Sequence, residues 1–200
     1  MNSELSKADR TRQFIIETTA GVFNTKGYAG TSITDLTEAT GLTKGSIYGN
    51  FNNKEEVALA AFDYNLSLVL KMVQDRMSQA KTCHEQLMVY AQAYQSFNQK
   101  SFPVGGCPIL NTAIEADDTN SLLKDRAQKA ILTWKRTIID IIKTGMNSGE
   151  FSATAEPEST ALAMIALIEG GTMIAKVTNN PASMNKILKT VEKLVNQLVE

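Results

Sequence analysis

Two hundred residues, 43% hydrophobic and 20% charged, make a chain long enough to bury its own core without staples, with the composition of an ordinary globular protein. That excludes a disordered chain, a fibrous repeat and a disulfide scaffold. A single histidine, His84, leaves no two- or three-histidine zinc site within one chain, so no metal or cofactor is expected. No uninterrupted apolar run reaches about 18 residues, so no membrane partner is expected. The opening stretch MNSELSKADRTRQ lacks the apolar core of a signal peptide. Two cysteines, Cys83 and Cys107, suit a reducing cytoplasm. The net charge is −1. Residues 1–54 carry six basic side chains (Lys7, Arg10, Arg12, Lys26, Lys44, Lys54) against five acidic ones (Glu4, Asp9, Glu17, Asp35, Glu38). Bulk charge therefore does not point to nucleic acid, and any such reading must rest on motif and geometry.

Nearly every segment has helical periodicity, and nine helices are expected with no convincing strand. Phe14, Ile15, Thr19, Val22 and Phe23 recur at helical spacing over about 7–26. Gly27 is placed to end that helix. Ser32 caps a short helix carrying Ile33, Leu36 and Ala39. A turn at Gly41 follows, and Thr43 caps a second short helix to Gly49. Asn53 opens a long helix, with Glu56 at capping-box spacing. Further helices are expected over about 83–100, from Pro108, from a cap at Ser121 to about Met146, from Pro157 to about 178, and from Pro181 to about 199. Cys83, beside His84, is expected in a solvated turn at a helix start.

The two short helices joined at Gly41 have helix-turn-helix spacing. Ile33, Leu36, Leu42 and Ile47 are spaced to pack them together over Val22 and Phe23. The second helix then presents Lys44, Gly45, Ser46, Tyr48, Gly49 and Asn50 outward, and such a helix can read base edges in a major groove. The run Phe23-Asn24-Thr25-Lys26-Gly27-Tyr28-Ala29-Gly30-Thr31-Ser32-Ile33 resembles the front of the TetR/AcrR family of bacterial repressors. So do Gly41 to Tyr48, Asn50-Phe51 and Lys54-Glu55-Glu56.

The resemblance implies an all-α, nine-helix TetR-like fold. It places a helix-turn-helix DNA-binding domain at 1–53 and a ligand-binding and dimerisation domain at 54–200. It implies a cytoplasmic one-component regulator, a homodimeric repressor of double-stranded operator DNA, released by a small-molecule inducer. Thr43, Lys44, Gly45, Ser46, Tyr48 and Asn50 match the recognition helix and its borders. Thr31 or Ser32, Tyr48 and Lys54 match positions that touch phosphate. Ser32 is equally readable as only a cap, and Tyr48 as packing. Gly49 departs from the family, which commonly has a histidine or a bulky residue there.

The family also implies dimerisation through the last two helices. Leu167, Gly170, Gly171, Val191, Leu194 and Leu198 are the candidates, with core packing as the plainer reading. Phe62, Met72, Tyr90, Tyr94, Phe97, Trp134, Met164 and Met173 are candidates to line an inducer pocket, or to fill core. Val104-Gly105-Gly106-Cys107-Pro108 sets a thiol at a helix N-terminus, which favours the thiolate. The segment looks like a branch of the family in which a cysteine here senses oxidants or electrophiles, and Lys176 matches a lysine placed near it by spacing. A buried structural cysteine is the alternative. Rival readings are a DNA-architectural protein without sequence preference, a regulator with Cys107 inert, and, last, an enzyme. Near-neutral charge opposes the first, and a lone histidine leaves the last no catalytic triad.

Overall fold

The computed structural model describes residues 6–199, and among them the chain forms nine α-helices and no strand. They are α1 (Lys7–Gly30), α2 (Ile33–Thr40), α3 (Lys44–Tyr48), α4 (Lys54–Met77), α5 (Cys83–Tyr94), α6 (Pro108–Ala116), α7 (Ser121–Ser148), α8 (Pro157–Val177) and α9 (Pro181–Asn196).

The caps explain most boundaries. Ser32 accepts from Asp35 N–H while the Asp35 carboxylate takes Ser32 N–H, a reciprocal box at the start of α2. Gly41 at φ +67° ends α2 in the left-handed region. The Thr43 hydroxyl accepts from Ser46 N–H to open α3. At α4 the Asn53 side chain accepts from Glu56 N–H at 2.8 Å, but the Glu56 carboxylate reaches past it to Asn52 N–H. Asn120, rather than Ser121, caps α7 by accepting from Leu123 N–H. Helix α5 stops at Tyr94, short of the expected end near 100, because residues 96–99 wind into i→i+3 turns.

Cys83 corrects an expectation. It is buried rather than solvated, and it opens α5 behind the cap Thr82. Its N–H and that of His84 donate to the Glu150 carboxylate at 2.9 and 2.6 Å. Burial first, then the Glu150 charge, pushes the thiol pKa up, so Cys83 is held as a neutral thiol.

The chain divides into two compact units. One holds residues up to Leu68 together with Pro103–Ala127. Its core is Ile15, Ala20, Phe23, Leu36, Ile47, Phe51, Val57, Ala58 and Ala61. Val22, expected in the floor of the short helices, is instead half-buried and lines a surface groove with Lys26, Asp35 and Ala39. The other unit holds Val69–Phe102 and Gln128–Glu200. There α8 packs on α9 so closely that a Cβ on Gly171 would lie 2.8 Å from Met184 Sδ. Helix α8 has 21 residues, mean hydropathy 1.5, and length enough to cross a membrane. Half of its apolar stretch is buried in the fold, the pattern of a core helix.

Candidate nucleic-acid interface

Helices α2 and α3 are joined by the Gly41 turn and held by the buried side chains of Leu36 and Ile47. With Ile47 turned inward, α3 leaves Thr43, Lys44 and Gly45 exposed and Ser46 half-exposed. The Lys44 ammonium reaches over the Tyr48 ring, 5.9 Å from its centroid. A Cβ on Gly45 would meet only Thr43 Oγ1, at 3.9 Å. No packing demand inside the protein requires glycine there.

Two other predicted residues are committed to the fold. The Thr31 hydroxyl is 1% exposed and donates to Gly27 C=O, whereas neighbouring Ser32 stands open to solvent. The Asn50 amide donates to Ser46 C=O at 2.9 Å, closing the end of α3. The Lys54 ammonium donates to Tyr28 C=O and Thr31 C=O, each at 2.8 Å, and lies 4.1 Å from the Tyr28 ring centroid. Two of its three N–H donors are thereby used by these carbonyls.

Sequence reading missed the staple that seats this end of the molecule. The Arg12 guanidinium donates to Asn50 C=O and, at 2.7 Å, to the Glu56 carboxylate, and lies 3.9 Å over the Phe51 ring. One side chain of α1 thus ties the exit of α3 to the entry of α4. Asn52 N–H, then Arg12, lowers the Glu56 pKa. Lys26, then Ser32, likewise holds the Asp35 carboxyl far below the usual range. Of the acidic residues counted in 1–54, Asp35 is thus engaged by Lys26 and Ser32. The solvated cation on α3 is Lys44.

The remaining candidates lie elsewhere. Phe62 lines a small cavity in the first unit with Phe23, Asn65, Pro108 and Leu123. Tyr90, Tyr94 and Trp134 come together in the second unit. Tyr94 stacks on Trp134 at 5.4 Å with 10° between planes, and Tyr90 is tilted at 5.7 Å. Burial pushes the Tyr90 phenol up to about 12. Met164 and Phe97 are buried there too, Met72 is half-buried and Met173 is exposed. Cys107 sits at the N-cap of α6 and is 1% exposed. It belongs to the first unit, Lys176 to the second. Among the described residues no cluster of three or more His, Cys, Asp or Glu could hold a metal.

Of the dimer candidates, Val191 and Leu198 are buried within the chain, and Leu167, Gly170 and Leu194 are half-buried. Sequence reading named Gly170 but passed over the exposed apolar residues that flank it on α8, Leu162, Ala166, Met173 and Val177, which form a stripe with it. Their spacing, four, four, three and four residues, puts them on one face.

A three-helix unit that offers a capped, partly solvated second helix defines a helix-turn-helix DNA-binding protein. Comparison with known proteins narrows this. Residues 15–61 match the family described as bacterial regulatory proteins, tetR family, and residues 83–191 match its tetracyclin repressor-like C-terminal domain. A TetR-family transcriptional regulator from Cytophaga hutchinsonii is 52% identical, with 98% of each chain covered and a TM-score of 0.93. A TetR regulator from Chloroflexus aurantiacus is 36% identical over 96% of this chain and 98% of its own, at a TM-score of 0.91. A probable helix-turn-helix transcriptional regulator of Pseudomonas putida, ArpR, is 27% identical over 95% of this chain and 90% of its own length. The chain belongs to the TetR family of helix-turn-helix transcriptional regulators, which are not enzymes. Members of this family bind operator DNA and act as dimers.

Proposed function

We propose that this chain is a cytoplasmic, homodimeric repressor that reads operator DNA with α3 and lets go when a small molecule binds its C-terminal part. DNA binding is assigned to residues 1–53, and sensing and dimerisation to 54–200. The observation that carries the reading is α3 itself: capped by Thr43, anchored inward by Ile47, with Lys44, Gly45 and Ser46 turned to the outside. Lys44 and Ser46 are assigned to base edges or flanking phosphates. Ser32, Thr43, Tyr48 and the spare Lys54 donor are assigned to phosphate. Thr31 and Asn50 act by shaping the backbone. Two copies joined along the α8 stripe would present two recognition helices to a pseudo-palindromic site, with half-sites about 34–36 Å apart or somewhat more.

The inducer assigned here is apolar and aromatic. Support comes from the Tyr90, Tyr94 and Trp134 cluster, and from the buried Trp134 Nε1–H, which has no hydrogen-bond partner among the described residues. A buried donor left unmet costs about 1–3 kcal/mol, so a ligand acceptor would be favoured there. The second reading, modification of Cys107, rests on its place at the head of α6. Its burial favours a small oxidant over a bulky electrophile.

Fluorescence anisotropy on duplex DNA from upstream of its own gene, at fixed salt, tests the reading. Wild type and Cys107→Ser are compared with and without hydrogen peroxide or aromatic effectors. Tight binding abolished by peroxide only in wild type supports the cysteine switch. Binding indifferent to peroxide but released by aromatic ligands supports the pocket. Affinity that stays constant over a wide panel of both sinks the inducible-repressor reading.

A further inference from the structure

The short joint Tyr28–Thr31, between the kink in α1 and the start of α2, is gripped from both ends. At Gly27 the backbone turns to φ +74° and ψ 174°, and helical winding restarts after it. The restarted turn exposes the N–H groups of Tyr28 and Ala29, which no helix can satisfy. The Glu115 carboxylate of α6 accepts both, at 2.9 and 2.8 Å, one on each oxygen. At the other end, the carbonyls of Tyr28 and Thr31 receive the Lys54 ammonium of α4. An anion at the N-terminal end of a turn and a cation at its C-terminal end both oppose the peptide dipole favourably. A Cβ at position 27 would fall 2.5 Å from the Glu115 carboxyl carbon, so the grip requires glycine there for space as well as for conformation. The opposite end of α6 is tied to the same helix. Asn24 of α1 donates to Val104 and Gly106 carbonyls at 2.7 and 2.9 Å, and the Asn111 amide donates to Asn24 C=O and Gly105 C=O, each at 3.0 Å.

We infer that Glu115 is a positioning residue for operator binding: by clamping Tyr28 and Ala29 it sets the direction in which α2 and α3 leave α1, and so the placement of each recognition helix. It touches no DNA. The inference rests on the reading of α3 as the operator-contacting helix. It makes α6 and α4 act on one shared joint, so a displacement of either helix is delivered to the helix-turn-helix through four residues. A dimer must place two heads on two half-sites at once, and loosening each joint weakens that linked binding without removing a contact.

The test uses a duplex selected from random sequence by the wild-type dimer, and the same duplex with one base pair added or removed between half-sites. Anisotropy is read for wild type, Glu115→Ala and Glu115→Gln, with melting temperatures alongside. Glu115→Ala is expected to lose about tenfold in affinity for the selected duplex, the loss of one charge-assisted clamp, and to distinguish the three spacings less sharply than wild type. Glu115→Gln keeps one acceptor oxygen and should recover part of both. A merely structural role would lower the melting temperature yet leave the ratio of affinities between spacings unchanged, and that result overturns the inference. Hydrogen exchange keeps the inference falsifiable should Glu115→Ala fail to fold, because the Tyr28 and Ala29 amides of wild type must be protected. Fast exchange there also overturns it. Failure of wild type to select any duplex would instead bring down the reading of α3, and the inference with it.

Discussion

Single side chains at the DNA-binding end divide into those held by the fold and those left for a partner. Lys44 and Lys54 look alike in sequence, but only Lys44 is free of backbone duties. Lys44→Ala should lower operator affinity by about 1–3 kcal/mol with relaxed preference at one position if it reads a base. A uniform loss across sequences, with the salt slope reduced by about one, would assign it to phosphate. Lys54→Met should act differently, lowering the melting temperature of the free protein, because two carbonyls lose their partner. The Asp35 carboxyl titrates far below its unfolded value, owing chiefly to Lys26 and then Ser32. A depressed folded pKa stabilises the native state above the unfolded pKa, near 3.9, and that stability is lost as pH falls toward the folded value. Acid unfolding curves of Asp35→Asn should therefore be flatter below about pH 4 than those of wild type. Equal slopes would show that the pairing of Asp35 with Lys26 and Ser32 contributes nothing to acid stability.

Helices here are positioned more by their ends than by their interiors. Helix α3 has five residues, too few to persist in isolation, so it exists because Thr43 caps it and Ile47 buries it. Thr43→Ala should cost about 1 kcal/mol, and Ile47→Ala about 2–5 kcal/mol, both read from urea unfolding. A cost below 1 kcal/mol for Ile47→Ala would mean that the core closes over the gap. Several boundaries were legible in the sequence: the caps Ser32 and Thr43 and the prolines opening α6, α8 and α9, whereas Gly27, expected to end α1, is a kink within a helix that runs on to Gly30. Others were not. Asn120 and Ser121 are equally good caps in sequence, and only the path of the chain chooses Asn120. Cys83, beside His84 at a helix start, reads as a solvated turn residue, yet it is buried and its N–H donates to Glu150.

At the scale of the whole molecule, the exposed face of α8 is the feature that one chain leaves unfinished. Val177 is 77% exposed, and Leu162 and Met173 share its face. Such a stripe marks an interaction surface. Leu162→Glu with Val177→Glu should shift the protein from dimer to monomer in light scattering after size exclusion. The shift should weaken operator binding severely, while a single head retains its fold and its melting curve. A double variant that stays dimeric would move the interface off this face.

The runs from Phe23 to Ile33 and from Gly41 to Tyr48, with Asn50-Phe51 and Lys54-Glu55-Glu56, implied a DNA-binding regulator only through their resemblance to a family, whereas residue types and spacing alone determined that the chain is all-helical and that a helix-turn-helix sits near its front. These properties are local: caps, turn glycines and apolar periodicity act within a few residues of one another, so a linear reading captures them. Tertiary structure alone decided which of the marked residues are available. Thr31 is buried, Asn50 closes a helix, and Lys54 is shared between joint and solvent. It also recruited Arg12, Glu115, Asn24 and Asn111, whose partners lie 38 to 87 residues away. No periodicity encodes such pairings, because a hydrogen bond between distant segments depends on where packing brings their backbones.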